Sequence, residues 1–322
     1  MEALQQFGIK LIQALQTFSP SFDGVMKFFT FLGRIEFYLL IVPLIYWTID
    51  RRLGMRALLA LIFTDVLGTA FKLLFHQPRP YWIGGVKQMA DETSYGIPST
   101  HASDSLAVGG YLAYRVKKNW FWVLMLIVLF LIGLSRLYLG AHFPHDVLFG
   151  WLIGGLVLWA FMKLADRTAA WARSLRLSMQ IATGFGISIV IILTGWLIRF
   201  IISGTTDPVS WSSFSTEARV LSPFFTLSGA LFGSISGYAL MRQYTRFQTS
   251  GTLGIRALRY LVGMFGVVLI YFGLDVIFSL LAADETILGY VLRFIRYGAA
   301  TFWMTVGAPS VFLKIKLAEI GN

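Results

Sequence analysis

Apolar residues in this chain run in long blocks of helical length, separated by short polar stretches. Such blocks fall at 34–50, 55–75, 100–115, 119–140, 146–166, 178–202, 222–241, 256–282 and 287–312. A helix needs about 20 apolar residues to cross the hydrocarbon of a bilayer. Backbone polar groups find no water there, so helices that satisfy themselves are the expected form. The pattern predicts an all-α, polytopic membrane protein with about nine transmembrane helices. The opening stretch, "MEALQQFGIKLIQALQTF", differs: Leu, Ile and Phe alternate with Gln and Lys at helical spacing. That predicts an N-terminal amphipathic helix lying on the membrane interface, ended by "SFDG". It lacks a basic start, a continuous apolar core and a small-residue cleavage site, so it does not read as a signal peptide.

Composition agrees with the pattern. Of 322 residues, 57% are hydrophobic and 13% charged, against about 25% charged in soluble domains. The chain has no cysteine, which removes disulfides and thiolate metal sites from consideration. Net charge is +11, and its placement explains it without a nucleic-acid partner. One set of alternate loops carries Arg51, Arg52 and Arg56, then Arg115, Lys117 and Lys118, then Lys163, Arg167, Arg173 and Arg176. Arg242, Arg246, Arg256 and Arg259 follow, and Lys314 and Lys316 close the series. Basic loops stay in the cytoplasm, so this side is expected inside, with the N-terminus outside and the C-terminus, ending at Asn322, inside. The expected organisation is an interfacial segment at 1–33, a catalytic helical core at 34–170 and a C-terminal membrane region at 171–322. "WARSLRLSMQ" (171–180) reads as an interfacial link between the last two. Gly229, Gly233 and Gly237 form GxxxGxxxG, a pattern for close helix packing within the chain.

Three segments on the less basic side hold all four histidines: "KLLFHQPRPYW" (72–82), "GIPSTHAS" (96–103) and "SRLYLGAHFPHD" (135–146). Lys72, Arg79 and Arg136 supply cations, and the arginine fork suits phosphate oxygens. Pro98-Ser99-Thr100-His101 reads as a helix start with Ser99 near the N-cap, where free N–H groups favour an anion. His142 and Asp146 are four apart; on a helix the carboxylate holds the ring in one tautomer. His101, beside this cradle, is placed to protonate a leaving alkoxide. Imidazole attack on phosphorus needs no metal, and the sequence offers no carboxylate cluster for one, so no cofactor is expected. His76 is assigned a structural or rim role; His145, three residues from His142, is left without a role and is not taken as the nucleophile. Asp65 is expected to pair with Lys72 or Arg79, and Asp104 lies one turn after His101. Arg199, Arg293 and Arg296 read as snorkelling residues.

These residues satisfy three ordered patterns: K-x6-R-P at Lys72 to Pro80, P-S-x-H at Pro98 to His101, and S-R-x5-H-x3-D at Ser135 to Asp146. Together they resemble the three-part signature of the type-2 phosphatidic acid phosphatase family, membrane lipid phosphatases related to vanadium haloperoxidases. The resemblance covers roughly 30–165. It implies that His142 is the nucleophile forming a phosphohistidine, that Asp146 orients it, and that His101 is the general acid. It implies that Lys72, Arg79, Ser99 and Arg136 hold the phosphate, with backbone N–H groups near Thr100 and His101. Thr100 stands where the commonest form of the second motif has Gly. "PSTHA" and the aromatic-rich segment upstream are similar to the sphingosine-1-phosphate phosphatase branch. The implied activity is metal-independent hydrolysis of a lipid phosphomonoester or diphosphate at the non-cytoplasmic face, with a bacterial cell membrane as the expected location. The expected partners are a lipid phosphate substrate and membrane lipids. A phosphotransferase would use the same residues. A non-enzymatic lipid-phosphate transporter would need no acid or nucleophile.

Overall fold

The computed structural model describes residues 2–320; Met1, Gly321 and Asn322, the expected cytoplasmic end, lie outside the described residues. Among the described residues the regular structure is helical, apart from an isolated bridge between Phe247 and Ile320. The helices are α1 (Glu2–Gln16), α2 (Asp23–Leu32), α3 (Ile35–Thr48), α4 (Arg51–Phe75), α5 (Pro80–Ile83), α6 (Thr100–Val116) and α7 (Asn119–Tyr138). They continue as α8 (Pro144–Ser174), α9 (Leu177–Ile201), α10 (Ser212–Ser215), α11 (Ser222–Leu240), α12 (Leu253–Ser279), α13 (Ile287–Phe302) and α14 (Ala308–Lys314).

Every apolar block of the sequence forms a helix, but the blocks are not equivalent. Six helical stretches are long and apolar enough to cross a membrane: those holding α4, α7, α8, α9, α11 and α12. A seventh arises if α2 and α3, bent by 51° at Gly33–Arg34, count as one broken span. The helices α6 and α13, of 17 and 16 residues, fall outside that set. Within the expected link at 171–180, α8 ends at Ser174 and α9 starts at Leu177 after a two-residue break.

The chain divides into two compact units. The first takes in the chain up to Tyr38, Phe63–Lys163 and Leu197–Val220. In it α8 packs on α6 through glycines. A Cβ on Gly150 or Gly154 would collide with the carbonyl oxygen of Ser99 or Ser103. Removing the side chain one turn apart on α8 therefore lets α6 approach to backbone contact. The N-terminal helices pack on the same unit. Ile12 of α1 is fully buried with Ala102, Leu137, Phe143 and Val147. Met26 of α2 packs on Tyr138 and Leu139, and the Tyr138 hydroxyl donates to Asp23 at 2.6 Å.

The second unit takes in Leu39–Ile62, Leu164–Trp196 and Leu221 onward. Gly229, Gly233 and Gly237 of α11 face α13 and the turn after it; a Cβ on these would overlap Phe294 O, Gly298 O and Thr305 Oγ1 respectively. The GxxxGxxxG pattern is thus an intramolecular seam. Arg259, 1% exposed, donates to the carbonyls of Leu317, Trp47, Gln248 and Ser250 and ties the C-terminal segment down. Arg293 meets Asp284 at 3.2 Å, and Arg296 pairs with Asp275 with its guanidinium over the rings of Tyr271 and Tyr297.

Candidate active site

The first unit brings the three polar segments together at one end of four helices. Lys72 lies in the last turn of α4 and Arg136 in the last turn of α7. Ser99 is the N-cap of α6, and Asp146 lies in the first turn of α8. The turn between α7 and α8 is tight. Gly140 takes φ +73°, a left-handed conformation that favours glycine. The chain doubles back there, and the amides of Ala141 and His142 donate to Arg136 O at 3.0 and 3.2 Å. Two site residues six apart in sequence are thereby held side by side.

His142 is 1% exposed. Its Nδ1 lies 3.3 Å from Asp146 Oδ2, and its Nε2 lies 3.2 Å from Arg79 Nη1. A guanidinium only donates, so the tautomer that fits both contacts has the proton on Nδ1 and a lone pair on Nε2. Asp146 Oδ2 also accepts from Phe143 N at 2.9 Å, which fixes the carboxylate. Burial, then the charges of Arg79, Arg136 and Lys72, hold the His142 pKa well below its ordinary value near 6.5.

The cations are buried and tethered. Arg79, 0% exposed, donates from Nε to Ser94 O at 2.6 Å and from Nη2 to Ser94 Oγ at 3.0 Å. Its Nη1 donates to Ala141 O at 3.0 Å. Lys72 Nζ donates to the same Ser94 hydroxyl at 2.9 Å. Arg136 donates from Nη1 to Thr30 Oγ1 at 2.6 Å and pairs through Nη2 with Glu92. Arg79 Nη2 lies 3.7 Å from the other oxygen of Glu92. Burial works against the Glu92 carboxylate, but the charges of Arg136 and Arg79 outweigh it and keep its pKa well below the usual range. His101 and Lys72 add to the effect.

Ser99 and the start of α6 complete the cluster. Ser99 N donates to Asp146 O at 3.0 Å, joining the second motif to the third. Its hydroxyl is buried with no hydrogen-bond partner, and so are His101 Nε2, Arg136 Nε and Asp146 Oδ1. Thr100 begins α6 without a positive φ, so its amide keeps the orientation a glycine would give, and its methyl packs on Gly68. Gly33 sits against the His101 ring.

His76 ends α4 at φ +37° and its ring contacts Leu74 O at 3.1 Å. His145 stacks on Phe143 at 5.2 Å with its Nε2 3.4 Å from Asp146 Oδ1. Lys72, expected to pair with Asp65, lies within reach of the Asp65 charge and donates to Ser94 Oγ. Trp82 is 3% exposed and packs on Trp211 and Phe214. Thr30, Glu92 and Ser94 have no place in the spacing patterns; only the fold brings them to the arginines. Three clustered cations do demand a counter-anion, but nothing local singles out Glu92 within "ADETSYG".

Comparison with known proteins points to one superfamily. Residues 53–169 match the PAP2 superfamily, and residues 225–320 match the PAP2 superfamily phosphatase, transmembrane extension. The chain is 31% identical over 185 residues to glucose-6-phosphatase 3 of Bos taurus, covering 49% of this chain and 53% of the relative. It is 28% identical over 138 residues to undecaprenyl-diphosphatase of Sulfolobus acidocaldarius, covering 42% and 66%. It is 31% identical over 141 residues to sphingosine-1-phosphate phosphatase 2 of Mus musculus, covering 42% and 40%. The chain thus spans about half the length of the curated relatives it matches. With its three motifs folded into one cluster and both matches in order along its length, this chain is a multi-pass membrane protein of the PAP2 superfamily.

Proposed function

We propose that this protein is an integral-membrane lipid phosphate phosphatase working through a phosphohistidine on His142. One observation carries the reading: the His142 lone pair, held by Asp146 behind it, lies among three buried cations and several buried polar atoms that lack protein partners. Pure packing leaves few such orphans, because each costs free energy.

The mechanism follows from the positions. The phosphoryl group enters the cradle, and its oxygens accept from Lys72, Arg79, Arg136, Ser99 and the amides at Thr100 and His101. Arg79 turns its Nη1 from His142 to a phosphoryl oxygen, which frees Nε2. Nε2 attacks phosphorus in line with the ester bond. Charge grows on the imidazole, and Asp146 stabilises it through Nδ1–H. His101 protonates the departing alkoxide, so a neutral alcohol leaves. A water molecule deprotonated by His101 then attacks the phosphohistidine, releasing phosphate and restoring His142. Protein groups supply the nucleophile, the acid and the electrophilic stabilisation, which is the basis for proposing metal independence.

The substrate class is a lipid phosphomonoester or diphosphate. The names of two relatives, a polyprenyl diphosphatase and a sphingosine-1-phosphate phosphatase, support a lipid; the third names glucose 6-phosphate. The cradle lies at helix ends, where a lipid headgroup reaches it from the bilayer. We assign the site to the non-cytoplasmic face, with nine crossings and α1 lying along the interface, because the basic loops alternate with the motif-bearing ones.

The test is phosphate release by purified protein in detergent with EDTA present. The panel is sphingosine 1-phosphate, phosphatidate, phosphatidylglycerol phosphate, a polyprenyl diphosphate and glucose 6-phosphate. Release from a lipid that survives EDTA and disappears in His142→Ala supports the reading. Release from glucose 6-phosphate alone would overturn the lipid assignment. Loss of release on chelation would overturn metal independence.

A further inference from the structure

Glu92 stands inside the arginine cradle, although no motif requires it. One of its oxygens pairs with Arg136 Nη2, and the other lies 3.7 Å from Arg79 Nη2. These are the two guanidiniums assigned to the phosphoryl group. We propose that Glu92 is an internal anion that fills the phosphate cradle between turnovers and is displaced by the phosphoryl group of the substrate. The proposal rests on the phosphate-site reading above and goes beyond it by naming a competitor built into the chain.

Three features support displacement rather than permanent residence. First, the carboxylate satisfies the cluster only in part. Arg136 Nε and Ser99 Oγ remain buried without a partner. A carboxylate is flat and offers two oxygens, while a phosphoryl group is tetrahedral and offers three with more charge. The larger anion therefore reaches donors that Glu92 leaves unmet. Second, Glu92 is the member of the cluster with room to move. Its side chain keeps 22% exposure, against 0% for Arg79 and 2% for Arg136. It sits on an irregular segment between α5 and α6. Third, its backbone is anchored. Tyr81 Oη donates to Glu92 O at 2.9 Å and accepts from Glu92 N at 3.3 Å. Two residues on, Ser94 stays bound to Lys72 and Arg79. Displacement is then a side-chain rotation that leaves the loop and the cations in place.

The competing role is a fixed tether for Arg136. Thr30 already holds the opposite edge of that guanidinium, and the two roles predict opposite signs. A competitor, once removed, strengthens anion binding, because the fraction of open sites rises. A tether, once removed, weakens it.

The experiment compares wild type, Glu92→Gln and Glu92→Ala at constant ionic strength. The readouts are inhibition of hydrolysis by inorganic phosphate and the rise in melting temperature that phosphate produces. In both variants the inhibition constant is expected to fall on the order of tenfold, KM to fall with it, and the thermal shift to grow. Glutamine is nearly isosteric, and the thermal shift reads binding in any variant that folds, whatever its turnover. A wild type that responds to phosphate, with variants that respond no better or worse, would overturn the competitor and leave the phosphate site standing. Phosphate without effect on any of the three proteins would remove the phosphate site and this proposal together.

Discussion

At the scale of single residues, the proposed mechanism makes the protonation state of His142 the controlling quantity. Its pKa is depressed first by burial and then by neighbouring cations. A group depressed in the fold stays neutral below its ordinary value near pH 6.5, so the nucleophile survives mild acidity. Activity is lost only as the pH falls through the lower, folded value. The acid limb of the kcat/KM profile is therefore expected below pH 6.5; a limb above that value would contradict the assignment. The same depression costs stability below pH 6.5, where the unfolded chain binds a proton that the fold excludes. Thr30 gives a second test at this scale. Removing its hydrogen bond to a buried arginine costs about 1.5–3 kcal/mol. Thr30→Val is expected to lower kcat/KM roughly ten- to a hundredfold, mostly through KM. Thr30→Ser keeps the hydroxyl and should restore it; no difference between the two variants would remove the role. His142, Asp146, Arg136 and Arg79 were legible in the sequence because chemistry and spacing identify them without the fold. Thr30, Glu92 and Ser94 were not. Each meets an arginine across 15 to 106 residues of chain through contacts that exist only in the packed protein.

Among elements, glycine placement decides which helices touch. Gly150 and Gly154 bring α8 against the start of α6, and that contact sets Asp146 beside Ser99. On α11, Gly233 lies so near Gly298 O that a side chain cannot enter without moving α13. Gly233→Val is expected to destabilise the protein by at least about 1–3 kcal/mol, read as a lower melting temperature in detergent. Gly273→Ala, where nothing lies within 4 Å of the added carbon, is expected to change it little. Equal effects at both positions would contradict the seam. The apolar blocks revealed all these helices, because bilayer-facing sequence is nearly uniform. They left out α2, which precedes the first block, and concealed the length of α8, which runs eight residues past the end of its apolar block, to Ser174. A hydropathy block ends where side chains become polar, and a helix does not have to end there.

For the molecule as a whole, the basic loops predict orientation. A reporter fused to the C-terminus is expected to read cytoplasmic, and one in the 84–98 loop non-cytoplasmic. The reverse pair would move the active site to the other face. Topology decides which leaflet supplies the substrate, but the proposed chemistry turns on His142. The most direct measurement is therefore a rapid quench of the enzyme with substrate carrying labelled phosphate. The account predicts label on the protein that is stable to alkali, labile to acid, mapped to His142 and absent from His142→Ala. Label on another residue, or turnover retained by His142→Ala, would contradict it.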